Sequence, residues 1–201
     1  MSHVRASKQE LKRQRDTLAR FERYLPTLQL KKRQLQMEVR RVEAEERTAL
    51  EALDQATAAL ESWIALFADE LPIPDHLAIE ALELGHLNIA GIDVPVLEGV
   101  RFTLTAPDLQ ATPAFFDDAV RAVETLLELR LRVRVLARQR ELLADELRVT
   151  SQRVNLFEKV KIPEAQRAIR TIRIALGDLQ AAEVVRAKIA KSKSTEQERA
   201  A

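Results

Sequence analysis

Metal ligands, phosphate-binding glycine loops and paired carboxylates are the features that would let this chain do chemistry, and their spacing can be weighed one by one. A metal centre needs three or four ligands that a fold can gather around one ion. The three histidines, His3, His76 and His86, are scattered, with no second ligand at metal spacing, so each reads as a surface or turn residue. The chain has no cysteine, which removes disulfides and thiolate metal sites. A phosphate cradle needs glycines grouped so that backbone amides converge. Gly85, Gly91, Gly99 and Gly177 form neither GxxxxGK followed by Ser or Thr, nor GxGxxG. Carboxylates abound, but a pair such as Glu45-Glu46 falls on a solvated helix face with no pocket to shift a pKa. Basic clusters at Lys31-Lys32-Arg33, at Arg40-Arg41 and at Arg130, Arg132, Arg134 and Arg138 have the charge to track a nucleic-acid backbone. Neighbours in such runs point in different directions around a helix, acids are interleaved, and no aromatics are placed for base stacking. They read as a solvated surface. The sequence therefore predicts no catalytic residue, no cofactor-binding residue and no metal ligand. It reads as a mechanical or scaffolding part rather than an enzyme.

The elements that would carry such a role are written in the composition. Of 201 residues, 31% are charged and only 4% aromatic, with four glycines. That profile belongs to long helices or coiled coil. The formal net charge of +1 hides segregation. Residues 1–60 carry 13 basic and 9 acidic side chains, residues 61–120 carry 1 and 11, and residues 121–201 carry 18 and 11. Two basic flanks around an acidic middle imply different partners for different parts. No apolar run approaches the roughly 20 residues needed to span a bilayer, and Met1-Ser2-His3-Val4-Arg5 opens no apolar signal region. The expectation is a soluble, cytoplasmic protein with no direct membrane insertion.

The N-terminal third follows a 3-4 spacing from Val4 to Phe67. Fifteen of nineteen such positions are apolar, among them Leu11, Leu18, Leu28, Leu35, Val42 and Trp63, the exceptions being Ser7, Gln14, Lys32 and Glu46. One phase held this long predicts a narrow seam and a left-handed coiled coil. At 1.5 Å per residue the helix would be about 95 Å long. Pro26 lies inside the series, yet Leu25 and Leu28 keep the phase, which predicts one helix with a kink rather than two helices. A second helix is expected to start at Thr112-Pro113. Its seam runs through Leu126, Leu129, Val133, Leu136, Arg140, Leu143, Leu147, Thr150, Val154 and Phe157. The phase slips beside Pro163 and resumes at Ile162, Ala165, Ile169, Ile172, Leu176 and Leu179, so a kink or stutter is expected there.

Between the helices, Pro72, Pro74, Pro95, Pro107 and Pro113 interrupt the pattern. A short helix is predicted over Asp75 to Leu84. Alternation at Ile92, Val94 and Val96, and again at Val100, Phe102 and Leu104, predicts a β-hairpin turning at Glu98-Gly99. Pro95 suits only an edge strand. The fold class read from sequence is mostly α, a long antiparallel two-helix coiled coil with a small middle region containing a short β-hairpin. Its segments are an N-terminal coiled-coil helix over 1–70, a middle head over 71–114, a C-terminal coiled-coil helix over 115–190, and a disordered tail over 191–201.

Several stretches also resemble one family. Thr150-Ser151-Gln152-Arg153-Val154-Asn155-Leu156-Phe157-Glu158-Lys159-Val160-Lys161-Ile162-Pro163 is similar to the R-V-N-x-L-E-x-V-x-I-P signature of the D subunit of V-type rotary ATPases, and Ile169-Arg170-Thr171-Ile172 continues the match. Val94-Pro95-Val96-Leu97-Glu98-Gly99-Val100 resembles the family's hairpin, and Thr112-Pro113-Ala114-Phe115 the start of its C-terminal helix. Leu28-Gln29-Leu30-Lys31-Lys32-Arg33-Gln34-Leu35 resembles its N-terminal pattern. Pro26 lies where the family usually keeps an unbroken helix. The resemblance implies a central-stalk rotor shaft, without cofactor, that couples ATP hydrolysis or synthesis to ion translocation. Its implied partners are the catalytic and non-catalytic nucleotide-binding subunits A and B of the ring, the small F subunit, and a funnel-shaped subunit above the membrane rotor ring. It would be cytoplasmic and peripheral to the membrane through the complex. It marks Arg153, Val154, Asn155, Ile162, Pro163, Leu97, Glu98 and Gly99 as motif and interaction positions. Leu11, Leu18, Leu28, Leu35, Val42, Leu136, Leu143, Leu147, Ile169, Ile172 and Leu176 form the seam.

A second class of reading is a free-standing coiled-coil adaptor or a nucleic-acid-binding rod, which co-purification with nucleic acid in place of nucleotide-binding subunits would reveal. Lacking a phosphate cradle, the isolated chain is expected neither to bind nor to hydrolyse ATP. Calorimetric titration that returned micromolar ATP binding would overturn this reading.

Overall fold

A computed structural model describes residues 6–61, 73–106 and 115–200, without the side chains of residues 74, 75 and 195–200. Helix α1 spans Lys8–Glu61 and α2 Ile73–His76, strands β1 Leu77–Ile89 and β2 Ile92–Leu104 form one antiparallel sheet, and α3 Phe116–Leu156 runs through a π-turn, Phe157–Lys161, into α4 Ile162–Ala200. The protein is mostly α-helical. The expected helix start at Thr112-Pro113 and the seam positions Trp63 and Phe67 lie outside the described residues. Helix α1 begins because Ser7 caps it: its Oγ accepts a hydrogen bond from the Glu10 backbone N–H at 3.1 Å, and Glu10 places negative charge in the first turn. One helix passes through Pro26. The chain divides into two compact units, residues 1–30 with 150–201, and residues 31–149.

In the unit of residues 31–149, Leu35, Val42 and Ala49 of α1 share one buried cluster with Leu136 and Leu143 of α3 and with Ile89 and Val94 of the sheet. Each buried leucine contributes about 1.5–3 kcal/mol by leaving water. Two cross-helix ion pairs give the direction. Lys31 Nζ meets Glu146 Oε1 at 2.8 Å, and Glu46 Oε2 meets Arg140 Nε at 2.8 Å. Partner numbers fall on α3 as they rise on α1, so the helices run antiparallel. Glu46 and Arg140, both charged interruptions of an otherwise apolar spacing, are thus opposite each other.

The middle differs from the sequence reading in two ways. Residues Leu77 to Leu84 are strand, not the helix expected over Asp75 to Leu84, and β2 is one strand through Glu98-Gly99. The run is rich in Ala, Leu and Glu, which favour helix. Tertiary pairing overrides that preference, because β-branched and aromatic residues of β2 supply a partner strand from Ile92 to Leu104. The turn is at Ala90-Gly91, both at positive φ (53° and 83°), as a two-residue hairpin turn of the mirror-image type requires. Asn88 fixes it, donating to Asp93 Oδ1 at 2.6 Å and accepting from the Gly91 N–H at 3.1 Å. Gly99 instead lies beside an irregularity in register between Glu83 and Leu84. With only two strands both are edges, so the missing N–H of Pro95 is tolerated. At the other end of the hairpin, Ile73 packs with Phe116, Ala119 and Val120 at the start of α3. His76 donates from Nδ1 to the Thr105 carbonyl at 3.2 Å and meets the Phe116 ring edge-on.

In the unit of residues 1–30 and 150–201, Phe21 of α1 stacks edge-on against Phe157, with centroids 5.1 Å apart. The expected phase slip beside Pro163 takes the form of the π-turn. The Ile162 N–H reaches the Phe157 carbonyl, five residues back, so the turn holds one residue more than an α-turn. Seam spacing from Phe157 to Ile162 is also one residue longer than the 4 that the pattern demands. The insertion therefore returns the apolar face to register: Thr150 and Val154 are buried before it, and Ala165, Ile169 and Ile172 after it. Pro163 has no N–H to donate and its ring would crowd the carbonyl of Lys159, which a widened turn relieves. Helix α4 continues to Ala200, past Lys191 where the sequence reading places a disordered tail. Residues 191–200 hold no Gly or Pro, and Lys, Glu, Gln, Arg and Ala are good helix formers.

Leu35→Ala or Leu143→Ala should each cost about 2–5 kcal/mol; urea melts unchanged by either would contradict the packing. A second measurement probes the π-turn. Deleting Val160 together with Pro163→Ala should leave a regular helix in phase and lower stability by roughly 1 kcal/mol. Deleting Arg148, in regular α3, should turn the following apolar face away and cost more than about 4 kcal/mol. Equal losses from the two deletions would refute the phase argument.

Candidate functional site

The hairpin meets α3 through a residue that the sequence reading passed over. Gln139 is 7% exposed and donates from Nε2 to the Pro95 carbonyl at 2.6 Å. The 3-4 spacing between Leu136 and Leu143 can be filled by position 139 or 140. The seam reading took Arg140, whereas the buried side chain is Gln139, because β2 covers that side and presents a carbonyl. A polar residue one step off a seam, able to donate where an edge strand lies, is the signal that would have found it. Val94 of β2 is fully buried, Leu97 and Gly99 are half-buried, and Glu98 is exposed. The Glu98 carboxylate lies over Gly85, occupying the space a Cβ there would need. Glu83 pairs with Arg101 at 3.0 Å. The outer surface of the hairpin leaves Ile79, Leu82, Leu84 and Leu104 more than two-fifths exposed.

The other motif frames the π-turn. Val154 is buried, Arg153 and Asn155 are exposed, and Ile162 and Pro163 are half-buried. Val154 therefore anchors the helix while Arg153 and Asn155 are presented outward. One turn further on, α4 and α1 form an open groove of about 760 Å³. Leu18, Ile169 and Ile174 line it together with Arg15, Arg170, Arg173 and Glu22. Both units thus leave apolar side chains exposed beside charged ones.

The remaining seam positions fall on both units. In residues 31–149, Leu35, Val42, Leu136 and Leu143 are buried and Leu147 is half-buried. In residues 1–30 and 150–201, Ile169 and Ile172 are buried, and Leu11, Leu18, Leu28 and Leu176 are half-buried. Of the histidines, His76 closes the base of the hairpin, His86 is exposed on β1, and His3 lies outside the described residues. Among the described residues, no group of three or more His, Cys, Asp or Glu side chains is placed to hold a metal ion. No described helix is long and apolar enough to cross a membrane.

Known proteins resemble this sequence over nearly its whole length. Residues 10–192 match the family of ATP synthase D subunits. The V-type ATP synthase D subunit of Borreliella burgdorferi is 40% identical over 192 residues, 96% of this chain and 95% of that protein. Those of Chlamydia felis and Chlamydia trachomatis serovar L2 are each 34% identical, over 96% of this chain and 94% and 96% of theirs. Matches of this identity and coverage establish that the chain belongs to the family of ATP synthase D subunits.

Proposed function

We propose that the chain is the central-stalk rotor shaft of a V-type rotary ATP synthase or ATPase, coupling nucleotide turnover in a catalytic ring to ion translocation. The observation that carries this is the helix pairing in residues 31–149, where apolar layers at Leu35, Val42 and Leu143 alternate with the Glu46–Arg140 and Lys31–Glu146 ion pairs. A part that transmits torque must not let its helices slide. A cross-helix ion pair within an apolar seam opposes sliding, because any shift leaves both charges unpaired beside the core. The shaft itself makes and breaks no bonds. It works by biasing the ring's sites among their conformations as it turns.

In this reading the nucleotide-binding subunits A and B surround the basic arms at the two chain ends. The acidic middle faces the membrane side, toward a funnel-shaped subunit above the rotor ring, and the F subunit binds at the side. Arg153, Asn155, Leu97 and Glu98 are contact positions. The chain acts in the cytoplasm, peripheral to the membrane through its complex. The segment reading of an N-terminal helix over 1–70, a head over 71–114 and a C-terminal helix over 115–190 maps onto arm, membrane-side head and arm.

A complex rebuilt with a chain lacking residues 1–20 and 180–201 should still bind the F subunit but lose part of its ion pumping per ATP and its maximal torque. Pumping and torque equal to those of the full-length complex would show that the arms are not the ring-facing end.

A further inference from the structure

Two surfaces of the chain expose apolar side chains in surroundings of opposite charge. The first is one face of the hairpin. Register places Ile79 opposite Phe102, Leu82 opposite Val100 and Leu84 opposite Leu97, and the two register shifts keep all six on one face. None of the six is charged. Ile79, Leu82 and Leu84 are 43–48% exposed, which leaves the face open to a further layer. Residues 77–104 carry four acids, Glu80, Glu83, Asp93 and Glu98, against one base, Arg101. The second surface is the end of α4, where every residue from Gly177 to Ser194 is exposed. Ala182, Val185 and Ile189 follow a 3-4 spacing and so form one stripe. Val185 and Ile189 are 55% and 51% exposed. Arg186 follows Val185 and Lys188 precedes Ile189, which sets one base on each margin of the stripe. Residues 177–194 carry four bases, Arg186, Lys188, Lys191 and Lys193, against two acids, Asp178 and Glu183.

We propose that the basic, apolar end of α4 in one copy docks on the acidic, apolar hairpin face of a second copy of this chain. The contact goes beyond the shaft reading and does not depend on it. Shape and charge both fit. Two strands side by side make a face about 10 Å wide, the width of one helix. The three cross-strand pairs extend about 17 Å, or about three helical turns. Val185 and Ile189 pack on Leu82 and Leu84, and Arg186 and Lys188 meet the acids of the hairpin. Pairing like with like is disfavoured, because two hairpin faces would bring acids together and two α4 ends would bring bases together. A contact between two unlike patches does not close at two copies. It adds copy after copy unless the rotation happens to close a ring.

The test is sedimentation velocity on the purified full chain, from about 1 to about 100 µM. The unsubstituted chain should sediment faster as its concentration rises and reach species larger than a dimer. V185Q/I189Q on α4 and L82T/L84T on the hairpin should each stay monomeric. Both place residues suited to their element at exposed positions, and circular dichroism verifies that each chain folds. Mixed in equal amounts, the two substituted chains should form a dimer of about twofold mass and nothing larger, because the intact α4 end of one meets the intact hairpin of the other and no third copy can add. An unsubstituted chain that stays monomeric over the whole range would overturn the proposal. So would association of the α4-substituted chain alone, which means pairing of hairpin with hairpin, or of the hairpin-substituted chain alone, which means pairing of α4 with α4. A mixture that stays monomeric would overturn it as well.

Discussion

A seam one side chain wide cannot be buried by the helix that carries it. In residues 31–149 that constraint orders everything else. Leu35, Val42 and Ala49 need an opposing strip, α3 supplies Leu136 and Leu143, and the hairpin closes the open side with Ile89 and Val94. Because the strip is narrow, a rotation of either helix by one residue would expose it. The remaining features then serve to hold the phase, as Glu46 and Arg140 do by matching one charge to one partner and Gln139 by gripping the Pro95 carbonyl.

The same constraint explains the π-turn in residues 150–201. A helix that keeps a partner on one face can change its residue count only where the change is absorbed at once. Phe157–Lys161 does so within a single turn, and Phe21 holds Phe157 edge-on at the site. Pro163, which would break a regular helix, becomes compatible because the widened turn no longer needs its N–H.

What could be read from the sequence was what repeats. The 3-4 spacing carried both long helices and located the slip beside Pro163, because many weak signals in one phase add up. The hairpin was legible only in part. Val94, Val96, Val100 and Phe102 marked β2, but β1 is written in Ala, Leu and Glu, residues whose local preference is helical and whose strand state comes from pairing. The turn was misplaced because Glu98-Gly99 carries the stronger local signal, whereas Ala90-Gly91 depends on Asn88 two residues earlier. The groove was invisible for a different reason. It requires knowing that residues near 15–22 and 166–174 come together.

The hairpin also bears on how a cell handles the chain before it has partners. Two 13-residue strands that pair with no further strand among the described residues, and with Ile79, Leu82, Leu84 and Leu104 nearly half exposed, form a template that further strands can extend. The acids Glu80, Glu83, Asp93 and Glu98 interspersed along it act as gatekeepers, since stacking identical copies would bring like charges together. Solubility of the newly made protein is therefore a balance between leucines and carboxylates on one small ribbon, and it tightens as unassembled copies accumulate.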